Sequence, residues 1–227
     1  MHDPDSTVEL VVRHLREGII DGTYQPESKL QPKVIAERCG TSFIPVREAL
    51  RILESEGFVT VFHNRGAWVS SMSVEDLDDL YNIRTELECE AVRQASGCNE
   101  KKIDMLLSNL GEAQERYAKG DHAAVITLNR EFHFAIYEMA GSPRRLKLID
   151  QLWLHSARYQ RLSLHHRHDA AGDEHRLIVD SLSNGDHSAA AEALRSHLAS
   201  TVEFIRGAVE AASFVDREDR SGVAAAS

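Results

Sequence analysis

Three histidines in the C-terminal half of the chain have the residue type and the placement of metal ligands. His133, His175 and His197 lie in three separate segments of helical periodicity, so a helical bundle could bring them together. Asn129 lies four residues before His133 and therefore on the same face of its helix. Imidazole nitrogen binds Zn, Ni, Co or Fe, and three such ligands leave positions for oxygen donors. These four residues are the candidate site for a divalent transition metal, with Zn or Ni expected.

Arg84 is the candidate for binding an organic effector. It lies in the first helical segment of this half, where an inward guanidinium can hold a carboxylate through two hydrogen bonds. A metal at the histidines would hold the other end of a carboxylic or hydroxy acid. Two simpler roles stay open. Each histidine could be a structural residue satisfied by a hydrogen bond, and Arg84 could pair with Glu88 one turn along the helix.

The bulk composition is that of an ordinary globular chain. Of 227 residues, 42% are hydrophobic and 27% charged, and this length supports two domains. No apolar run approaches a membrane span, the N-terminus is too polar for a secretory signal, and the three cysteines form no CxxC pair. We therefore expect a cytoplasmic protein with no membrane partner.

The charge distribution argues against nucleic-acid binding through an overall positive field. The net charge is −10; residues 1–72 contain eight Lys and Arg against ten Asp and Glu, and the remainder contains 18 against 26. Any DNA binding must therefore come from a local surface.

The N-terminal third has the element order of a winged helix-turn-helix. An amphipathic helix is expected over Thr7–Gly22, a short helix begins at Pro32, and a third occupies about 44–56 after a turn at Gly40. Two β-rich runs, Phe58–Phe62 and Ala67–Ser70, then flank a polar, glycine-containing turn, which indicates a hairpin. This predicts a DNA-binding domain over residues 1–72.

Every periodic segment after residue 72 is helical. Helices are expected from residue 73 to about 91 and near 100–118, 121–140, 143–165, 172–184 and 186–213. The predicted fold class is therefore mainly α, with an all-helical bundle of six or seven helices over residues 73–215. The charged and then Ala/Ser-rich segment 216–227 is predicted to be disordered.

The helix, turn and wing motifs resemble the GntR family of bacterial transcriptional regulators. The matching sequences are TSFIPVREAL at 41–50, LESEGFV at 53–59 and NRGA at 64–67. In such a domain the recognition helix enters the major groove, and the family's wing tip enters the minor groove. The residues expected to contact DNA are Lys33, Thr41, Ser42, Phe43, Arg47, His63, Asn64, Arg65 and Gly66.

These residues differ in the contact they offer. Arg47 can reach a guanine edge or a phosphate, Ser42 offers its hydroxyl and backbone amide to phosphate, and Gly66 permits close backbone approach. Phe43 departs from the resemblance, because the family usually has arginine there. It could contact a thymine methyl group or pack against its own helix, and we expect an altered operator sequence.

The C-terminal half resembles the FadR-type effector-binding (FCD) domain, which binds small molecules and forms dimers within the GntR family. The matching pieces are YNIRTELE at 81–88, NREFH at 129–133, EHRLI at 174–178 and RSHL at 195–198. Many family members have aspartate where this chain has Asn129, so the metal site here would be one charge less negative.

The two resemblances together imply a transcriptional repressor. A homodimer would bind palindromic double-stranded operator DNA and respond to a small organic acid. Two alternatives are a regulator for which the metal itself is the signal, and a metal-dependent enzyme. No enzyme activity is expected, because Glu131 lies on a different helical face from His133 and no other residue is a convincing general base.

Overall fold

The computed structural model describes the backbone of residues 6–161 and 168–224 and the side chains of residues 6–161 and 171–209. The chain divides into two compact units, Met1–Ser73 and Val74–Ser227.

The N-terminal unit contains three helices and a small sheet. Its elements are α1 (Thr7–Ile20), β1 (Lys29–Leu30), α2 (Pro32–Arg38), α3 (Phe43–Ser55), β2 (Val59–Phe62) and β3 (Gly66–Val69). A capping box between Ser6 and Glu9 begins α1, and Pro32 occupies the first position of α2, where its missing N–H costs nothing. Leu15 of α1 and Val46 and Leu53 of α3 are completely buried. Their close packing fixes the position of α3 against α1.

The wing is a three-stranded antiparallel sheet in the order β1-β3-β2. Val61 pairs with Ala67 and Phe62 with Gly66, so the turn lies at residues 63–65. Asn64 has a φ of 62° and Gly66 a φ of 90°, and glycine is the residue that adopts the latter without strain. The hairpin is thus confirmed, whereas β1 was not predicted, because two residues carry too little periodicity to reveal a strand.

The C-terminal unit is helical throughout its described residues. Its elements are α4 (Val74–Arg93), α5 (Glu100–Ala118), α6 (His122–Glu138), α7 (Pro143–Gln160), α8 (His168–Ser183) and α9 (His187–Ala224). Helix α4 packs against α6, α7 and α9, and α8 packs between α5 and α9. These six helices confirm the predicted mainly α class with a bundle of six or seven helices. No helix among residues 6–161 and 168–224 is long and apolar enough to cross a membrane.

The last helix is longer than the sequence suggested. We expected helix to about residue 213 and disorder over 216–227, yet α9 continues to Ala224. The segment contains Ala, Glu and Arg, which favour helix, and Gly222 is its one strong interruption. Residues 225–227 lie outside the described part.

Candidate metal centre and DNA-binding surface

Three helices of the C-terminal unit bring the predicted histidines together. His133 of α6, His175 of α8 and His197 of α9, hereafter the histidine trio, are buried, and one nitrogen from each lies within 4.8 Å of the other two. The Nε2 atoms of His133 and His175 are 3.1 Å apart. Two nitrogen ligands of a tetrahedral zinc ion would be separated by about 3.3 Å, given bonds of about 2.0–2.1 Å. The spacing is compatible with two ligands of one ion and equally with a hydrogen bond between the two rings.

Neighbouring groups orient two rings of the histidine trio. Tyr137 Oη donates to Glu88 at 2.5 Å, so it can accept the Nδ1–H of His133, 3.2 Å away. His197 Nδ1 lies 2.7 Å from the Glu174 carboxylate. Each contact favours the tautomer that leaves a lone pair on Nε2, the arrangement usual for histidine ligands. Burial, and after it His175, His197 and Arg84, lower the pKa of His133 well below its usual value, which favours the neutral, ligating form.

Glu88 of α4 links its own helix to α6 and α7 next to the histidine trio. Its sequence context did not indicate it as a site residue. It is fully buried and accepts hydrogen bonds from Arg84 Nε at 2.7 Å, Trp153 Nε1 at 3.0 Å and Tyr137 Oη. We call Arg84, Glu88, Tyr137 and Trp153 the Glu88 cluster. In the sequence, only the spacing of Arg84 and Glu88 indicated this cluster, because Tyr137 lies on α6 and Trp153 on α7.

Arg84 forms the ion pair with Glu88, which is one of the two roles that the sequence left open. Burial lowers the pKa of its guanidinium, but the charge of Glu88, the hydrogen bond to Glu88 and the nearby Tyr81 and Tyr137 together raise it above its usual value. The guanidinium also lies 4.6 Å from the ring centres of Tyr81 and Trp153. Its Nη1 atom is buried and has no hydrogen-bond partner among the described residues. The salt bridge to Glu88 thus occupies one edge of the guanidinium, and Nη1 remains as a hydrogen-bond donor without a partner among the described residues.

A cavity of about 450 Å³ lies beside Arg84 and the histidine trio. Its lining includes Arg84, Asn129 and all three members of the histidine trio. Asn129 is half-buried one turn before His133, as its spacing predicted. Glu131 is exposed, which leaves it away from the buried trio. The cavity is in the usual size range for small-molecule sites.

The residues predicted to contact DNA lie in the N-terminal unit and remain accessible. All are exposed except Thr41, which is half-buried. Ser42 caps α3 without a side-chain hydrogen bond. No ion pair within the described residues involves Lys33, Arg47 or Arg65, so these cations are available to phosphates or bases.

The first turn of the recognition helix α3 also presents two large apolar side chains. Phe43 is 54% exposed and Ile44 is 71% exposed. Phe43 is therefore not a core residue of its unit. The exposed pair is suited to apolar contacts with thymine methyl groups in the major groove.

Comparison with known proteins identifies the two units. Residues 7–69 match the bacterial regulatory proteins of the gntR family, and residues 79–200 match the FCD domain. The chain belongs to the GntR family. Its FCD domain places it within the FadR-type architecture, as the sequence motifs indicated.

Relatives of this GntR protein match along most of its length. BphR, an HTH-type transcriptional regulator of Paraburkholderia xenovorans, is 31% identical over 88% of this chain and 86% of its own. The transcriptional repressor GlaR of Escherichia coli is 29% identical over 87% and 94%. A crystal structure of a GntR regulator from Rhodococcus sp. RHA1 has a TM-score of 0.73 and 30% identity, covering 89% of this chain and 98% of that one. The chain is a DNA-binding transcriptional regulator and not an enzyme.

Proposed function

We propose that this GntR regulator is a repressor whose operator affinity is controlled by a carboxylate effector bound beside a divalent metal in its FCD domain. The observation that carries the proposal is that the buried histidine trio lines the same cavity as Arg84, whose Nη1 has no hydrogen-bond partner among the described residues. A buried donor without a partner is costly unless a ligand satisfies it. The repressor role is supported by the relative GlaR, a named repressor.

The donor set fits a divalent transition ion. His133, His175 and His197 would hold it, with Asn129 as a neutral oxygen donor from the same cavity wall. Such an ion would supply a Lewis-acidic position for one carboxylate oxygen. Arg84 Nη1 would hold the effector carboxylate by a charge-assisted hydrogen bond, and Glu88 fixes the guanidinium for that contact.

Control of DNA binding requires that the effector prefer one arrangement of the helices over another. The cavity is lined by residues from all of α4 to α9, so a ligand there can change how these helices pack. In a homodimer, a change in FCD packing would alter the spacing of two winged helices on a palindromic operator.

A gel-shift experiment tests this function directly. The probe is the intergenic DNA upstream of the gene itself, with and without chelator and with a panel of small carboxylic acids. We expect specific binding that one class of acid releases. Release by chelator or metal alone would instead identify the metal as the signal, and insensitivity to both would refute effector control.

Arg47→Ala is expected to weaken operator binding by about 10–100-fold, because a good arginine–base contact contributes about 1–3 kcal/mol. Fluorescence anisotropy with a labelled operator measures the loss. Arg93→Ala, which removes an exposed arginine in the FCD domain, is the charge-matched control and should retain affinity. Circular dichroism should show both variants folded, and unchanged affinity of Arg47→Ala would remove this residue from the interface.

Phe43 is expected to make apolar contact with thymine. Replacing single thymines of a selected operator by deoxyuridine removes one methyl group and should weaken wild-type binding at one or two positions by about fourfold, on the basis of about 0.8 kcal/mol per buried methyl-sized group. Phe43→Ala should bind the thymine and deoxyuridine operators with equal affinity. If wild type also binds them equally at every position, Phe43 does not contact a thymine methyl.

A further inference from the structure

The outer face of the wing sheet carries a lysine that was not among the residues predicted to contact DNA. Side chains alternate between the two faces of a strand, and Leu30, Ala67 and Val69 are buried on the inner face. Lys29 of β1 and Trp68 of β3 pair in register one position away, so both lie on the opposite, outer face. Lys29 is exposed there. The short strand β1 thus adds a cation to the wing.

The side chain of Lys29 extends along this outer face toward the wing tip. Its Nζ lies 5.8 Å from the centre of the Trp68 ring, within the range of a cation–π contact. Its Cε lies 3.6 Å from the position that a Cβ would have on Gly66, which is two residues nearer the turn than Trp68. The aromatic ring therefore lies beside a lysine whose charged end reaches Gly66, one of the predicted DNA contacts.

The charge of Lys29 is available to an anion from outside the protein. No carboxylate within the described residues forms an ion pair with it, and an exposed cation–π contact is a weak restraint. Residues 1–72 contain eight Lys and Arg against ten Asp and Glu. In a unit with this excess of acidic residues, binding to a polyanion depends on where individual cations lie. An unpaired lysine beside the wing tip is therefore well placed to meet DNA.

We propose that Lys29 binds a phosphate of the DNA backbone beside the wing, with Trp68 as the residue that positions it. The lysine ammonium is a compact point charge, which suits a phosphate oxygen, whereas the paired donors of an arginine suit a base edge. A phosphate contact fixes the position of the wing on the duplex and leaves sequence readout to other residues. The inference rests on the DNA-binding role of the family and is independent of the proposed effector control.

The salt dependence of DNA binding by Lys29→Met tests the inference, because methionine removes the charge and keeps much of the side-chain length. Fluorescence anisotropy measures binding of the full-length protein to two labelled duplexes of equal length. One comes from the intergenic DNA upstream of the gene and the other has an unrelated sequence. We expect a similar loss of affinity on both duplexes. Between about 50 and 200 mM salt, wild type should lose about 3.5-fold more affinity than the variant for each Lys29 that contacts DNA, because one phosphate contact contributes a slope of about −0.9 to log K against log salt.

Two further variants separate a phosphate contact from other roles. Lys147→Met is the matched control, since Lys147 is exposed on α7 of the C-terminal unit, and it should keep the wild-type slope. Lys29→Arg keeps the charge and should also keep the slope. Circular dichroism should show all three variants folded. Reduced affinity of Lys29→Met with an unchanged slope would mean that Lys29 only supports the wing, and a loss confined to the upstream DNA would mean that it reads a base. Either result, or unchanged affinity on both duplexes, would overturn the inference.

Discussion

Replacing Glu88 by alanine is expected to lower the free energy of unfolding of the C-terminal unit by about 3–5 kcal/mol, the usual cost of removing one partner of a buried ion pair. Glu88 is completely buried and accepts hydrogen bonds from Arg84, Tyr137 and Trp153. Without it, the Arg84 charge would remain in the interior without its counter-ion, because arginine does not deprotonate in proteins. The Tyr137 hydroxyl and Trp153 indole N–H would lose their acceptor as well.

Thermal unfolding measures this effect. At about 2–4 °C per kcal/mol for a unit of this size, Glu88→Ala should lower Tm by about 6–20 °C. Glu86→Ala is the matched control on the same helix: its side chain is 74% exposed and pairs with Arg195 at 3.3 Å, and such surface pairs contribute about 0–1 kcal/mol. Similar small shifts in both variants would contradict the assigned role of the Glu88 cluster. Replacing both Arg84 and Glu88 by apolar residues should recover part of the loss, since no isolated charge then remains.

The N-terminal unit could be predicted almost completely because its signals are local. A proline at a helix start and a glycine turn each fix a boundary within a few residues. The wing followed from two β-rich runs around a glycine turn. The exposure of Phe43 could not be predicted, since one residue at the start of an amphipathic helix can face either the core or solvent.

The candidate site was predictable only in its individual residues. Helical segments and the order of motifs singled out the histidine trio and Arg84, but the meeting of α6, α8 and α9 depends on how the helices pack. The Glu88 cluster shows the limit most clearly. Tyr137 and Trp153 have the spacing of ordinary core aromatics. They donate hydrogen bonds to Glu88 although they lie 49 and 65 residues from it along the chain. Sequence spacing within one helix revealed just the Arg84–Glu88 pair.

Metal binding provides the second large expected effect. With Zn²⁺ or Ni²⁺ at about 100 times its dissociation constant, the wild-type protein should gain about 2.7 kcal/mol of stability, because the ion binds the folded protein and has no preformed site in the unfolded chain. His133→Ala should lose most of this gain and should hold far less than the expected one ion per chain. Elemental analysis after gel filtration gives the metal content, and thermal unfolding with and without added metal gives the gain.

The stabilisation that each variant gains on adding metal is the informative quantity, and not its absolute stability. His133 is buried beside Phe132 and Trp153, so His133→Ala leaves a void that destabilises the protein even if no metal ever binds. Comparing the same variant with and without metal cancels the destabilisation caused by the void, since the void is present in both measurements. His187→Ala, at the first residue of α9 and outside the histidine trio, should keep the full increment and metal content. Tyr137→Phe should reduce metal affinity by about 10–100-fold without abolishing binding, as expected for a group that orients a ligand. An undiminished increment in His133→Ala would mean that any metal binds elsewhere, and that the three buried imidazoles serve the packing of the bundle instead.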